Sequence, residues 1–220
     1  MKDRRDPKQI VSTGYDAIVE RYGRWALSVR EEERARYTAL LLERLPPGSR
    51  VLELGCGAGL PTTLCLAESF AVTGIDLSAR QVERARQNVP GAAFVRADMA
   101  AIGFAPASFD AVASFYALIH LPRREQPGLL RKVATWLRPG GLLVASMGAG
   151  SVEAEVAGDW LGAPMYWSSF DAATNRRLVE EAGLRLLRAR EETADEFGQP
   201  VTFLWIVAEK PEEQAGAGEA

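Results

Sequence analysis

The chain has 220 residues, 47% hydrophobic and 25% charged, which is the make-up of one globular domain, because chains divide mostly beyond about 250 residues. A formal net charge of -3 offers no field for a polyanion, so nucleic acid is not expected as a partner. No run approaches the roughly 20 apolar residues of a membrane span, and the polar start MKDRRDPKQI lacks the apolar stretch of a signal peptide, so a soluble, cytoplasmic protein is expected.

Two helices are expected first, over residues 7–22 and 31–45; in the first, Tyr15 and Tyr22 stand seven apart and share a face with Ile18 and Val19. From Arg50 onward, β-rich runs alternate with helical patterns, which predicts strands at 51–54, 71–75, 93–96, 111–115, 142–146, 184–190 and 201–208. The fold class is therefore α/β, a Rossmann-like doubly wound sheet of seven strands, mostly parallel. The last two strands leave no room for a crossover helix and must pair as an antiparallel hairpin at the C-terminus. Pro61 suits a first helical turn, and Ser78 with Gln81 reads as a capping box for a helix through Asn88. Pro139-Gly140-Gly141 signals a turn before the fifth strand, Asp171 caps a helix to Ala182, and Gly183 stops it.

The organisation that follows is one domain over 1–210. It comprises an N-terminal helical segment at 1–49, whose Tyr15–Tyr22 stripe is either core or the underside of a lid, a ligand-binding core at 50–147, a lid or insert at 148–170, and a helix plus hairpin at 171–210. The polar tail 211–220 is expected to be disordered. Within the insert, residues 159–170 are aromatic without a period and read as a long loop. Arg123-Arg124 and Arg176-Arg177 read as solvated helix faces. Cys56 and Cys65 lack CxxC spacing or histidine partners, so both read as reduced, buried thiols and no metal site is expected.

The most specific segment is VLELGCGAG, residues 51–59, an apolar strand running into a glycine-rich turn and then a helix. Such a turn lets backbone approach a ligand, and the helix N-terminus favours a carboxylate or phosphate. The second strand ends in GIDL, which puts Asp76 about 20 residues on, where a carboxylate accepts hydrogen bonds from ribose hydroxyls. Together they indicate a nucleoside ligand. A dinucleotide fingerprint needs a third glycine where Leu60 stands, which disfavours a pyrophosphate and hence an NAD(P)-dependent oxidoreductase.

ELGCGAG resembles motif I of the class I S-adenosylmethionine-dependent methyltransferases of the small-molecule kind, and GIDLS resembles their second motif. RADM at 96–99, FDAVASF at 109–115 and LRPGGLL at 137–143 continue the likeness in order. The resemblance implies S-adenosyl-L-methionine as cofactor and S-adenosylhomocysteine as product. It implies that Glu53, Gly55, Gly57 and Gly59, with Cys56 and Gln81 beside them, shape the pocket for the cofactor's amino acid end. Asp76 then binds the ribose, Leu77 and Met99 sandwich the adenine, Asp98 accepts from its amino group, and Ser114 and Phe115 form the floor. Tyr15, on the helical lid, would touch the cofactor.

Methyl transfer mainly requires an acceptor atom held about 3 Å from the methyl carbon with water excluded. His120, the one histidine, follows the fourth strand and is either a general base or a histidine bonded to backbone. Tyr116 is either a pocket wall beside the reaction or packing. Tyr22, Trp160, Met165, Tyr166 and Trp167 would give an acceptor pocket apolar walls, or else cover the core. The expected activity is methylation of an O, N or S atom of a small, partly apolar metabolite or natural product, by a monomer or homodimer. The alternatives are the oxidoreductase and a non-catalytic binding protein on the same scaffold.

Overall fold

Val51, Leu52 and Leu54 are all buried, so β1 (Arg50–Leu54) hides side chains on both faces, as a parallel strand between two helical layers must. The computed structural model describes residues 5–212; residues 213–220 of the expected tail lie outside them. β1 pairs in parallel with β2 (Ala71–Asp76) on one side and β4 (Phe109–Ser114) on the other. β3 (Ala93–Arg96) extends the sheet beyond β2, and β5 (Leu137–Gly148) follows β4. β9 (Gln199–Glu209) enters antiparallel between β5 and β8 (Arg185–Glu196), giving the order β3-β2-β1-β4-β5-β9-β8. This is the expected seven-stranded, mostly parallel sheet with its antiparallel hairpin.

Helices α2 (Glu31–Arg44) and α3 (Thr62–Ala67) accompany one core, built around Tyr37, Leu41, Leu66 and Trp205. Helices α5 (Gln126–Trp136) and α6 (Ala172–Glu181) accompany the other, around Leu129, Val133 and Val179. α4 (Ala79–Asn88) covers β2 and β3 through Val82 and Ala85. α1 (Pro7–Ser28) crosses above the strands' carboxyl edge. It is six residues longer than expected, since it runs on through Gly23 and no proline intervenes before Arg30 turns the chain with φ 51°. No helix among the described residues is long and apolar enough to cross a membrane.

The structure corrects several expectations. Residues 148–170 hold no long aromatic loop; they form a second, two-stranded sheet of β6 (Val152–Trp160) and β7 (Ala163–Ser169). Leu161 and Gly162 make the two-residue turn, both with positive φ, the type that matches the strands' twist. Asp159 accepts from the Gly162 amide at 2.8 Å. β8 and β9 meet in the same way at Phe197 and Gly198, with Asp195 accepting from Gly198, and so run longer than the predicted strands. Pro139, Gly140 and Gly141 lie inside β5, where the register with β4 shifts. The capping box is half made: Ser78 Oγ accepts from the Gln81 amide, but Asp76 takes the Ser78 N–H that Gln81 would have reached. Arg123 is no solvated residue. Its Nε donates to the Ser169 carbonyl at 2.8 Å and its guanidinium lies over Phe170, clamping the base of the β6–β7 hairpin. Cys56 is a buried thiol, whereas Cys65 is only half-buried.

Trp205 is fully buried, stacked on Tyr37 with ring centroids 4.2 Å apart and edge-on to Phe115. Trp205→Ala is expected to lower the unfolding free energy by roughly 3–5 kcal/mol, read from urea denaturation midpoints at unchanged m.

Candidate active site

The sheet order reverses between β1 and β4, and at that point an open α/β sheet forms its ligand crevice beyond the strands' carboxyl ends. The turn after β1 opens with Gly55 at φ 73°, and a Cβ there would come within 2.2 Å of the Ala117 Cβ on the segment after β4. Gly57, at φ 53°, then donates its N–H to Asp76 Oδ2 at 2.9 Å. Asp76 Oδ1 accepts from Ser78 N at 2.8 Å. Burial nevertheless outweighs these bonds and pushes the Asp76 carboxyl up to about 6. Glu53, beneath the turn, accepts from the Thr63 hydroxyl and is pushed up to about 8 by burial, which the nearby Arg34 charge only partly offsets. Gln81 is fully buried, and neither atom of its side-chain amide has a hydrogen-bond partner; its Oε1 lies 3.9 Å from where a Gly57 Cβ would stand.

Gly55, Gly57, Asp76, Leu77, Asp98, Met99 and Phe115 line one cleft, roofed by Lys8, Val11, Tyr15 and Tyr22 of α1. Lys8 bonds Asp98 at 2.6 Å and also reaches Glu125, tying the helix start to the cleft wall. Asp16 accepts from the Ser78 hydroxyl and the Arg80 amide, tying its middle to α4. With α1 docked, the cleft encloses about 60 Å³.

A second cavity of about 410 Å³ adjoins the first. Trp25, Trp160, Trp167, Phe197 and Phe203 are among its lining residues, with Arg30, Arg34, Glu155 and Glu196 as its charged groups. Trp160 packs edge-on to Tyr15, Trp25 and Trp167, and Phe197, carried by the β8–β9 turn, stacks on Trp25. Arg30 is paired with Glu196, while Arg34 Nη1 donates to the Ala26 carbonyl.

Tyr15, Tyr22, Tyr116 and His120 line both cavities and form the junction between them. His120 Nδ1 lies 2.8 Å from the Tyr166 carbonyl oxygen and Nε2 lies 2.8 Å from the Tyr15 hydroxyl. Burial lowers the His120 pKa to about 4, so the ring is neutral at ordinary pH. Tyr116 sits at φ 59°, its N–H bonded to Ser146 Oγ at 2.7 Å and its ring facing the Arg34 guanidinium at 5.2 Å. Its hydroxyl is buried without a hydrogen-bond partner.

Several predicted site residues stand apart from these surfaces. Ser114 is fully buried and donates to the Leu54 carbonyl, Cys56 packs under Gly74, and Gly59 abuts Val89 behind the turn. Met165 and Tyr166 are buried among Ile10, Val11 and Ile18 of α1, so they hold the hairpin to the helix and do not wall the acceptor cavity. Tyr166 contributes its carbonyl instead. Sequence reasoning missed Lys8, Trp25, Arg30, Arg34 and Phe197; α1 and α2 gave no motif there, and only the Asp-x-x-Gly turns hinted that Phe197 would be carried to the rim.

The family model described as a methyltransferase domain matches residues 51–141, from β1 to the glycines of β5. The chain is also 34% identical over 154 residues to the 27-O-demethylrifamycin SV methyltransferase of Amycolatopsis mediterranei (strain S699), covering 60% of this chain and 56% of that protein. Over residues 51–141, and over the longer stretch shared with that relative, the chain is thus similar to methyltransferases. Among solved structures, the N-methyltransferase NodS from Bradyrhizobium japonicum WM9, in complex with S-adenosyl-L-homocysteine, matches 94% of this chain and 100% of its own, with a TM-score of 0.72 at 20% identity. The [4+2]-cyclase SpnF matches 95% and 98%, with a TM-score of 0.74 at 20% identity. Those two likenesses are of fold. The chain spans about half the length of the curated relatives it matches.

The cleft's residues fit the cofactor of this methyltransferase family. Leu77 and Met99 offer apolar surface for a flat base, Asp76 an acceptor for ribose hydroxyls, and the unpartnered Gln81 amide lies beside the turn. Both raised carboxyls are protonated at low pH, whereas hydroxyl and ammonium donors bind the ionised form. Affinity for S-adenosylhomocysteine is therefore expected to rise as pH increases through about 6 and on toward about 8, with proton release. Calorimetry in buffers of different ionisation enthalpy measures that release. Asp76→Ala is expected to weaken binding by about 1–3 kcal/mol at pH 8.

Proposed function

We propose that the chain transfers the methyl group of S-adenosylmethionine to a small, partly apolar molecule bound in the aromatic cavity. One observation carries the reading: a cleft suited to the cofactor and a cavity suited to an acceptor share a wall made of Tyr15, Tyr22, Tyr116 and His120. A reaction between two ligands needs such a contact point, because in-line displacement requires the reacting atoms about 3 Å apart.

When bound, the cofactor supplies a sulfonium-activated methyl carbon. The chain's own residues bind, orient and exclude water. The glycine turn, with Glu53 beneath it, is suited to the amino acid end of the cofactor, and Asp76 to its ribose. Tyr15 and Tyr22 on α1 close over the junction, and Trp160 and Trp167 shield it from the hairpin side. Excluding water strengthens every electrostatic contact inside. His120, neutral and at the junction, is the base of this scheme.

The cavity's composition argues for an acceptor with aromatic or aliphatic surface and few charges, in keeping with a metabolite or natural product. The test is a titration with S-adenosylhomocysteine followed on tryptophan fluorescence. Trp25 and Trp160 at the α1 interface should report a saturable change and the thermal midpoint should rise. A flat titration alongside saturable binding of NAD would remove the proposal.

A further inference from the structure

Resting on that reading, we infer that the acceptor presents a hydroxyl group whose proton leaves through the Tyr15 phenol to Nε2 of His120, so that Tyr15 is a catalytic residue as well as part of the lid. The tautomer of His120 follows from its neighbours. A carbonyl oxygen only accepts, so the 2.8 Å contact with Tyr166 places the ring hydrogen on Nδ1 and leaves Nε2 as a lone pair. The Tyr15 hydroxyl, 2.8 Å from Nε2, is then the donor. The single lone pair of Nε2 is thereby engaged, and an acceptor hydroxyl cannot bond it directly while α1 is docked. The Tyr15 oxygen keeps lone pairs of its own, and Tyr15 lines both cavities.

No other described group at the junction bonds Nε2 of His120: the Tyr22 hydroxyl interacts with that of Tyr15 and reaches the ring only through it. The Tyr116 hydroxyl has no hydrogen-bond partner to pass a proton to, and its ring lies beneath the Arg34 and Arg30 cations. Asp76 and Asp98 belong to the cofactor cleft, the first bonded to backbone amides and the second to Lys8. Glu196 is paired with Arg30, and Glu155 lines only the outer cavity.

The proton balance closes. The acceptor oxygen bonds the methyl carbon as the carbon–sulfur bond breaks, its electron pair remaining on sulfur. The acceptor O–H breaks toward the Tyr15 oxygen, and the Tyr15 proton passes to Nε2. One positive charge is lost at sulfur and one appears on the imidazolium, whose Nδ1–H remains held by the Tyr166 carbonyl. That proton goes to solvent when the lid opens. Burial makes His120 a weak base, with a pKa of about 4. That suffices, because a hydroxyl oxygen already bonding carbon is oxonium-like and a far stronger acid than imidazolium. A neutral amine brings its own lone pair and a thiol ionises near pH 8.5, so neither needs this path.

His120 is the one histidine of the chain, so its ring nitrogens can be observed without assignment. The full chain, labelled with 15N-histidine and loaded with S-adenosylhomocysteine, should show Nδ1 protonated and Nε2 bare. The hydrogen-bonded shift of Nε2 should vanish in Tyr15→Phe. With S-adenosylmethionine and a panel of small phenols and the matching anilines and thiophenols, methylation should fall on phenols. Tyr15→Phe and His120→Asn should each lower kcat by about 100-fold or more while KM and S-adenosylhomocysteine affinity stay within a few fold; His120→Gln serves where the Asn variant does not fold. A proton found on Nε2, an undiminished kcat for phenols in Tyr15→Phe, or a panel in which no phenol turns over would overturn the relay with the methyltransferase reading intact. Failure of the unaltered chain to bind S-adenosylhomocysteine by calorimetry, measured first, overturns both.

Discussion

The hydrogen bond from the Gly57 amide to the Asp76 carboxylate is the constraint on which the site rests, because it locks the turn after β1 to the end of β2. It forms only if the two strands run parallel in the observed register, with Leu54 beside Ile75, and only if the chain can take a positive φ at Gly55 and Gly57. Any side chain at Gly55 would collide with Ala117 and push the segments after β1 and β4 apart. The cleft, its buried carboxyls and the junction beyond them follow from that closure. A carboxylate held by two backbone amides is oriented before any ligand arrives, which lowers the ordering cost of binding.

α1 links the two cavities mechanically. Three anchors along its length, Lys8 on Asp98, Asp16 on Ser78 and Tyr15 on His120, dock it to three different segments after β3, β2 and β4. None is strong alone, since part-exposed ion pairs contribute little individually. Together with the packing of Ile10, Val11 and Ile18 against Met165 and Tyr166 they hold the helix on the cleft. The same helix thus roofs both cavities.

The sheet was readable from sequence because parallel strands buried on both faces leave short, mostly apolar runs, as in β1 and β4, and because a glycine turn marks the end of β1. Gly55, Gly57 and Asp76 were readable as cleft residues because chain order in a parallel sheet dictates which strand ends are neighbours, whereas Leu77, Asp98, Met99 and Phe115 were implied only by the family resemblance. The β6–β7 hairpin was not. Its outer strand, VEAEVAGDW, alternates weakly, and its aromatic residues face partly a cavity and partly α1, so no single period emerges. Arg30 and Arg34 were hidden among the charges of α2, where nothing local distinguishes a buried arginine from a solvated one. Met165 and Tyr166 were placed in the wrong wall, because alternation along β7 depends on a register that only the hairpin turn sets.

The two Asp-x-x-Gly turns have a consequence for how such a protein diversifies. Each swings an aromatic residue over the outer cavity from a hairpin whose tip lies away from the β1–β2–β4 junction. Exchange of Trp160 or Phe197, or a change in hairpin length, remodels what is admitted there without touching the glycine turn or Asp76. The outer cavity's rim and the glycine turn are thus carried on separate stretches of chain, with α1 the helix common to both cavities.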